Sequence, residues 1–268
     1  MSWQETRVPF GERIALSEVD PDDTGPFAHK SEANSLIKQN VKRMEELQEL
    51  MYAERKHALL IVLQAMDAGG KDSTIRHVMD GFNPQGCHVV GFGVPTPLEL
   101  AHDFLWRIHP HAPRRGYVSI FNRSHYEDVL VVRVEELVPE AVWGARYDQI
   151  NAFERLLADS GVTLLKFFLH ISKEEQKERF QERLDRPEKN WKFNPSDLET
   201  RNKWDEYMRA FEEVFARCNH HWAPWYVVPA NKKWYRNWVV SSAIVAAMEG
   251  MEMQYPPAPP GLDEIVIE

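Results

Sequence analysis

Five short apolar runs of strand length alternate with longer segments of helical periodicity along the chain. The runs occupy residues 58–63, 89–92, 117–121, 162–169 and 225–228. Strands that are buried on both faces have nearly continuous apolar sequences, as in parallel sheets that are covered by helices. The pattern therefore predicts an α/β fold with a doubly wound parallel sheet of about five strands, in which ligands bind at the carboxyl ends of the strands.

The segments between these runs predict how the chain is organised. Residues 1–29 are rich in Pro, Asp and Gly and are predicted to form an irregular N-terminal arm, which leaves residues 30–268 for the α/β domain. Helices are predicted at about residues 30–55, 73–80, 98–108 and 234–248. A densely charged helical region at about residues 173–217, between the fourth and fifth strands, is predicted to be a lid.

Composition argues against several classes of protein. The 268 residues carry 32 basic and 41 acidic side chains, a formal net charge of -9, which does not suit a nucleic-acid coat or a polybasic membrane binder. Two cysteines are too few for a disulfide framework and fit a reducing compartment. The first residues lack a signal-peptide core, and no apolar run has the length of a membrane span. We therefore expect a cytoplasmic protein that binds neither nucleic acid nor membranes.

The strongest chemical signal follows the first strand, where the chain reads Ala65-Met66-Asp67-Ala68-Gly69-Gly70-Lys71-Asp72-Ser73-Thr74. In a glycine-bearing turn between a strand and a helix, backbone N–H groups can approach a polyphosphate, and a lysine at this place can reach its bridging oxygens. The sequence predicts a catalytic role for Asp67 and Lys71. It predicts phosphate binding by the residues around them, namely Ala68, Gly69, Gly70, Asp72, Ser73, Thr74 and Arg76.

This loop departs from the common P-loop pattern at two positions. Ala65 stands where the first glycine belongs, and Asp72 stands where the Ser or Thr after the lysine belongs. The structural alternative is a plain strand–turn–helix whose glycines allow tight packing. Phosphate would repel the carboxylate of Asp67 unless a Mg²⁺ ion or a cationic partner lay between them. A turn-capping role is the alternative for this residue.

A second polar segment, Asn122-Arg123-Ser124-His125-Tyr126-Glu127-Asp128, follows the third strand. In a doubly wound sheet it lies beside the phosphate loop, where Arg123 can offset charge on a transferring phosphoryl group. Glu127 and Asp128 are candidates to hold a metal ion or to orient a nucleophile. The alternative is a helix N-terminus that Ser124 caps, and both descriptions can hold at once.

The charged region between the fourth and fifth strands offers further cations. Arg179 and Arg183 are four residues apart and so lie on one helix face. The ordinary interpretation is a solvated helix with many ion pairs. An insertion at this place in a phosphotransferase can also close basic side chains over phosphates and expel water, and we predict that role for both arginines.

Four separated motifs resemble those of the polyphosphate kinase 2 family in order and spacing. They are Met66-Asp67-Ala68-Gly69-Gly70-Lys71-Asp72, Phe92-Gly93-Val94-Pro95-Thr96, Phe121-Asn122-Arg123-Ser124-His125-Tyr126-Glu127-Asp128 and Asn231-Lys232-Lys233-Trp234-Tyr235-Arg236-Asn237. The resemblance extends from about Asp20 to the C-terminus. The segment that begins at Asn122 is similar to the class III subgroup, whereas many other members have an Asp at that position.

The resemblance implies a P-loop kinase-like fold with a helical lid. It also implies reversible, Mg²⁺-dependent phosphoryl transfer between inorganic polyphosphate and adenine nucleotides, and class III members act on AMP and ADP. By motif position, Asp67 and Lys71 belong to the Walker A site, and Arg123 and Asp128 to the Walker B region. A homo-oligomer, either a dimer or a tetramer, is implied as well.

From the motifs and their order we assign the remaining roles. Asp67 and Asp128 are the expected ligands of Mg²⁺, for which Mn²⁺ can substitute. We expect nucleotide contacts from the segments around the second and third strands, at Gly93, Arg107, Asn122 and Glu127. Because a polyphosphate chain needs a basic groove, the basic residues must be segregated on one face despite the net charge of -9.

Two other functions share these features. An ATP-dependent nucleoside monophosphate kinase would have the same loop, lid and fold, but its phosphoryl donor would be ATP and not polyphosphate. A non-catalytic sensor of nucleotide or polyphosphate is the other alternative. Turnover by the pure protein would exclude the sensor.

Overall fold

The computed structural model describes residues 1–262 and 265–267. One sheet contains the parallel strands β1 (Ala58–Gln64), β2 (Cys87–Gly91), β3 (Val118–Asn122), β4 (Val162–His170) and β5 (Trp225–Pro229). Their order is β2-β3-β1-β4-β5, so the chain crosses from one side of β1 to the other between β3 and β4. Each predicted apolar run overlaps one strand, which confirms the doubly wound parallel sheet. A ligand crevice is expected beside the carboxyl ends of β1 and β3.

Helices flank this sheet in the described part of the chain. They are α1 (Lys30–Glu54), α2 (Lys71–Val78), α3 (Pro97–Leu100), α4 (Val131–Val134), α5 (Glu140–Asp159), α6 (Lys173–Asp185), α7 (Ser196–Asn202), α8 (Trp204–Arg217) and α9 (Lys233–Glu249). None of them is long and apolar enough to cross a membrane. The predicted lid region thus consists of α6, α7 and α8, with a 3-10 helix at Pro187–Lys192.

The prediction of a helix at residues 98–108 is wrong beyond Leu100. Thr96 begins α3 with a capping box to Glu99, and Pro97 occupies the first helical position. The helix ends at Leu100. The carboxylate of Asp103 then accepts a hydrogen bond from the N–H of Leu105 at 3.0 Å, a local turn that competes with a helix.

An ion pair is buried in the core between β4 and α5. Lys166 and Glu154 are fully buried and contact each other. Lys166 Nζ also donates to the hydroxyl of Tyr126 at 2.9 Å and to the carbonyl of Cys218 at 2.7 Å. Glu154 accepts from the hydroxyl of Tyr126 at 2.8 Å and lies 3.1 Å from His125 Nε2. The network therefore anchors the turn that follows β3.

Residues 1–29 form an irregular segment that lies on the domain, with 3-10 turns at Gln4–Thr6 and Leu16–Glu18. The N–H of Val8 donates to the carbonyl of Trp225 at 2.9 Å, and Arg7 forms an antiparallel bridge with Tyr226. The arm thereby covers part of the free edge of β5, which would otherwise expose unpaired backbone groups.

Candidate active site

The loop between β1 and α2 forms the floor of the site. All seven residues of β1 are buried, which fixes the point where the loop begins. Ala68 has a φ of 60° and Gly70 a φ of 103°, so the backbone turns through the left-handed region before α2 starts at Lys71. The first N–H groups of a helix have no partner within it and carry partial positive charge, which favours an anion at this end.

Two glycines are required here by close contacts. A Cβ on Gly69 would lie 2.5 Å from the Cβ of Ala65, and a Cβ on Gly70 would lie 2.0 Å from Arg236 Nη1. Real Cβ contacts of this length do not occur without a shift of the neighbouring atoms. The loop therefore excludes a side chain at Gly69, and at Gly70 a side chain would strain the backbone at its positive φ and displace the guanidinium of Arg236.

Lys71 is the first residue of α2 and turns its ammonium back towards the backbone of the loop. Its Nζ donates to the carbonyl of Ala65 at 3.0 Å. Burial and the nearby cation of Arg123 lower the pKa of Lys71 to about 8, and the carboxylates of Asp67, Glu127 and Asp72 offset only part of this effect. A phosphate oxygen beside the ammonium would favour its charged form.

Arg123, just after β3, is the cationic partner that Asp67 needs. Its Nη2 lies 2.8 Å from Asp67 Oδ1, and its Nη1 lies 4.0 Å from Glu127 Oε2. These two carboxylates help to raise the pKa of Arg123, so the guanidinium stays charged. The residue has a φ of 63°, an uncommon conformation for a side chain of this size, which directs it across the carboxyl ends of the strands.

Residues of α6 close the site from the other side. The buried Arg179 donates from Nη1 to the carbonyl of Ala68 at 2.9 Å and from Nη2 to the carbonyl of Ala230 at 2.8 Å. Arg183 donates to the carbonyl of Lys192 at 3.0 Å. Both arginines line the cavity that the loop and α6 enclose.

This cavity has a volume of about 390 Å³ and is strongly basic. Eight basic side chains line it, and they are Lys71, Arg123, Arg179, Arg183, Lys189, Lys192, Lys233 and Arg236. The acidic side chains in its lining are Asp67, Asp72 and Glu182. Basic residues are thus segregated at the site in a chain whose formal net charge is -9, as a polyanionic ligand requires.

Arg236 is a residue of the cavity to which the sequence assigned no role. It is fully buried on α9, and its Nη2 donates to Ser73 Oγ at 3.2 Å and to Asn237 Oδ1 at 2.8 Å. Its Nη1 has no hydrogen-bond partner among the described residues. Burial and the nearby Arg179 lower the pKa of Arg236 below the ordinary arginine value. The only sequence signal was its position in the motif 231–237.

Three further predicted residues lie in the loop region with structural contacts. Asn122 donates to Asp72 Oδ1 at 2.7 Å, and both line the cavity. Thr74 is buried and donates to the carbonyl of Gly70 at 3.1 Å, so its hydroxyl stabilises the first turn of α2. Glu127 lines a smaller adjoining cavity of about 60 Å³.

Six predicted residues do not line this basic cavity, and they are Thr74 and Glu127, described above, and Asp128, Arg107, Gly93 and Arg76. Asp128 is buried against Arg146, whose Nη1 lies 2.9 Å from Asp128 Oδ1. Burial raises the pKa of Asp128 to about 6, although Arg146 and Arg107 act in the opposite direction. Arg107 donates to the carbonyl of Gly93 at 2.9 Å. Arg76 lines a separate cavity beside α2.

The residues present can hold a divalent metal only together with a ligand. Among residues 1–262 and 265–267, no three His, Cys, Asp or Glu side chains form a cluster that could bind an ion. Mg²⁺ is usually held by one or two carboxylates and by substrate phosphates, and Asp67 is one of the residues that line the basic cavity. Both Asp67 and Asp128 form an ion pair with an arginine, but only Asp67 lines the cavity, so Asp67 fits this use and Asp128 does not.

Comparisons with known proteins identify the family of the chain. Residues 28–256 match the family model described as Polyphosphate kinase 2 (PPK2). The chain is 57% identical over 263 residues to the AMP/ADP-polyphosphate phosphotransferase of Meiothermus ruber, and the match covers 98% of both chains. It is 44% identical over 270 residues to the ADP-polyphosphate phosphotransferase of Rhodopseudomonas palustris, over 96% of this chain and 93% of the relative.

A solved structure has the same fold as this chain. The crystal structure of Polyphosphate Kinase 2 from Arthrobacter aurescens TC1 matches with a TM-score of 0.92 and 41% sequence identity, over 96% of this chain and 93% of the other. The resemblance inferred from the four motifs is thereby confirmed. The chain belongs to the polyphosphate kinase 2 family and is a phosphotransferase with a P-loop kinase fold.

Proposed function

We propose that this enzyme transfers phosphoryl groups from inorganic polyphosphate to AMP and ADP, reversibly and with Mg²⁺. The observation that carries the proposal is the cavity in which eight basic side chains surround a phosphate loop, within an acidic chain. Such a cavity suits a long polyanion better than a single nucleotide phosphate. The relative from Meiothermus ruber is named for AMP and ADP and the one from Rhodopseudomonas palustris for ADP, which supports these acceptors.

The loop residues would hold the phosphoryl group that is transferred. Lys71 Nζ and the backbone N–H of Gly70, at the N-terminus of α2, would bind and orient the phosphate oxygens, whereas the N–H of Gly69 already donates to the carbonyl of Met66 at 2.9 Å. Arg123 offsets the charge that develops on the equatorial oxygens, since Asp67 fixes its guanidinium at 2.8 Å. The acceptor phosphate is already ionised, so no strong general base is required.

Mg²⁺ would be held by Asp67 together with substrate phosphates. When bound, it supplies charge neutralisation between donor and acceptor. Asp128 contributes in another way: its ion pair with Arg146 fixes the end of the turn that starts at Arg123. We therefore assign the metal to Asp67 and a supporting role to Asp128.

The donor chain would extend from the loop along the basic side of the cavity. Arg236 Nη1 lies against Gly70 and has no partner among residues 1–262 and 265–267, so a phosphate oxygen at this place would satisfy a buried donor. Lys233 and Lys192 continue the basic lining. We propose that residues 173–217 act as the lid over the bound polyphosphate. The oligomeric state and the cytoplasmic location stay predictions.

The test is nucleotide formation by the purified protein with long-chain polyphosphate, Mg²⁺ and AMP, and with no ATP. We expect both ADP and ATP to accumulate, and Lys71→Ala to abolish them. Lys56→Ala is the matched control, because Lys56 is exposed at the amino end of β1, opposite the site. Formation of ADP only after ATP is added would favour the monophosphate kinase instead, and nucleotide binding without turnover would favour the sensor.

A further inference from the structure

We propose that the N-terminal arm is part of the donor-binding machinery: Asp22 positions Arg179 on the phosphate loop through Asn231. Asn231 and Asp22 are positioning residues here, because the contacts described below join them to the site only through other residues. The inference rests on the proposed function, since the inference takes Arg179 to be a residue that binds polyphosphate. It gives a role in the reaction to a segment that precedes the α/β domain.

Asn231 is the junction between the arm, the start of α6 and the end of β5. It is buried, and its side-chain amide donates to Asp22 Oδ2 at 2.8 Å and to Ser172 Oγ at 3.3 Å. Its Oδ1 accepts from the N–H of Ser172 at 3.0 Å. Its backbone N–H donates to the carbonyl of Pro21 at 3.1 Å, and its carbonyl accepts from Arg179 Nη2 at 3.2 Å. Every polar group of Asn231 is therefore used.

The contact with Ser172 transmits this position to the phosphate loop. Ser172 caps α6, because its Oγ accepts from the N–H of Glu175 at 3.0 Å. Two turns further along α6, Arg179 binds the carbonyls of Ala68 and Ala230. The first two turns of α6 are thus attached to the body of the domain. A change at Asn231 would move Arg179 relative to Ala68.

Asp22 is suited to hold the junction because it stays ionised. The hydrogen bond from Asn231, together with Lys232 at 3.2 Å, lowers the pKa of Asp22 despite partial burial. A carboxylate accepts but cannot donate, so it fixes which way the amide of Asn231 points. The oxygen of the amide is then left facing the N–H of Ser172. Asparagine supplies both the donor and the acceptor that this place needs.

The experiment measures polyphosphate binding directly, by calorimetry without nucleotide, and turnover in parallel. Asn231→Asp keeps the shape of the side chain but places a second carboxylate against Asp22. We expect the Kd for polyphosphate to rise about fivefold, the ratio that corresponds to about 1 kcal/mol for one hydrogen bond. The KM for AMP should change less than twofold. Asp22→Ala, a change on the partly exposed arm, should have the same effect.

Reciprocal exchange provides the decisive variant. In the double variant Asp22→Asn, Asn231→Asp, the new amide donates to the new carboxylate, and the carboxylate still accepts from Ser172. We expect polyphosphate affinity to return to within twofold of the original. Asp23→Asn is the matched control, because Asp23 contacts the N-terminus and Gly25 but not Asn231. It should leave the affinity unchanged.

The outcomes separate the two proposals. Unchanged polyphosphate affinity in Asn231→Asp and Asp22→Ala would overturn the positioning role. Equal losses for AMP and polyphosphate, with a matching fall in Tm and no rescue by the exchange, would overturn it as well. If the unaltered protein binds polyphosphate but forms no ADP, the proposed function fails, whereas the binding measurements still decide the role of the arm.

Discussion

The surroundings of Lys71 predict an unusual pH dependence of donor use. Burial and the cation of Arg123 lower the pKa of Lys71 from 10.5 to about 8 in the free protein. Only the ammonium form can hold phosphate oxygens by charge. Because kcat/KM reports the ionisation of the free enzyme, kcat/KM for polyphosphate should fall above about pH 8. Bound phosphate favours the ammonium, so kcat should begin to fall at a higher pH.

The size and direction of the effect follow from that pKa. At pH 9 about one tenth of Lys71 remains protonated, so kcat/KM should be about tenfold lower than at neutral pH. Stability changes the opposite way. Between pH 8 and 10.5 the unfolded chain binds more protons at this lysine than the folded protein does, so the free energy of unfolding rises with pH. Over this pH range, the deprotonation of Lys71 raises the free energy of unfolding by up to about 3 kcal/mol.

The assay measures initial rates at limiting polyphosphate from about pH 6.5 to pH 9.5, at constant ionic strength and Mg²⁺. Thermal unfolding is followed in the same buffers. In Lys71→Arg the guanidinium stays charged, so the fall in kcat/KM above about pH 8 should disappear, at a lower overall rate. The same fall in Lys71→Arg would refute the assignment, since another group would then titrate. A parallel loss of stability would refute it too, because alkaline unfolding would explain the rates.

Three further predictions concern the cavity and the core. Arg236→Met should raise the KM for polyphosphate about tenfold while Tm stays level or rises, because it removes a buried cation whose Nη1 has no hydrogen-bond partner in the described part of the chain. Gly70→Ala should abolish polyphosphate binding in calorimetry, because its Cβ would lie 2.0 Å from Arg236 Nη1, whereas Gly144→Ala has open space and serves as the control. Lys166→Met should lower the free energy of unfolding in urea by about 3–5 kcal/mol, because the carboxylate of Glu154 is then buried without its cation. The double variant Lys166→Met, Glu154→Leu should recover most of this stability, because the buried charge is removed.

The sheet could be predicted from the sequence because its strands are buried on both faces. β1 is apolar up to Gln64 and buried throughout, so its pattern admits no amphipathic helix. The second half of the helix predicted at residues 98–108 could not be excluded in this way. Its apolar spacing is compatible with a helix, but the helix ends at Leu100 and the side chain of Asp103 then accepts a hydrogen bond from the N–H of Leu105, which only the structure shows.

The phosphate loop could be recognised, but the reason for its unusual first residue could not. Ala65 replaces the first glycine of the common pattern, and Gly69 leaves space for it, since a Cβ on Gly69 would lie 2.5 Å from that of Ala65. The role of Arg236 depends on contact between α9 and a loop about 160 residues earlier in the chain. At the sequence level the aromatic residues around it favour a core helix. Only the fold shows that its guanidinium lies against Gly70.

Two separate departures from familiar patterns explain each other. Asp72 stands where the common P-loop has a hydroxyl residue, and Asn122 stands where the motif resemblance led us to expect Asp in many members of the family. In the structure Asn122 Nδ2 donates to Asp72 Oδ1 at 2.7 Å. An Asp at position 122 would face the carboxylate of Asp72 at that distance, and the pair would need a cation or a shared proton. The amide removes this need and fixes Asp72 at the edge of the cavity. No local pattern could link these positions, because they meet only where α2 begins and β3 ends.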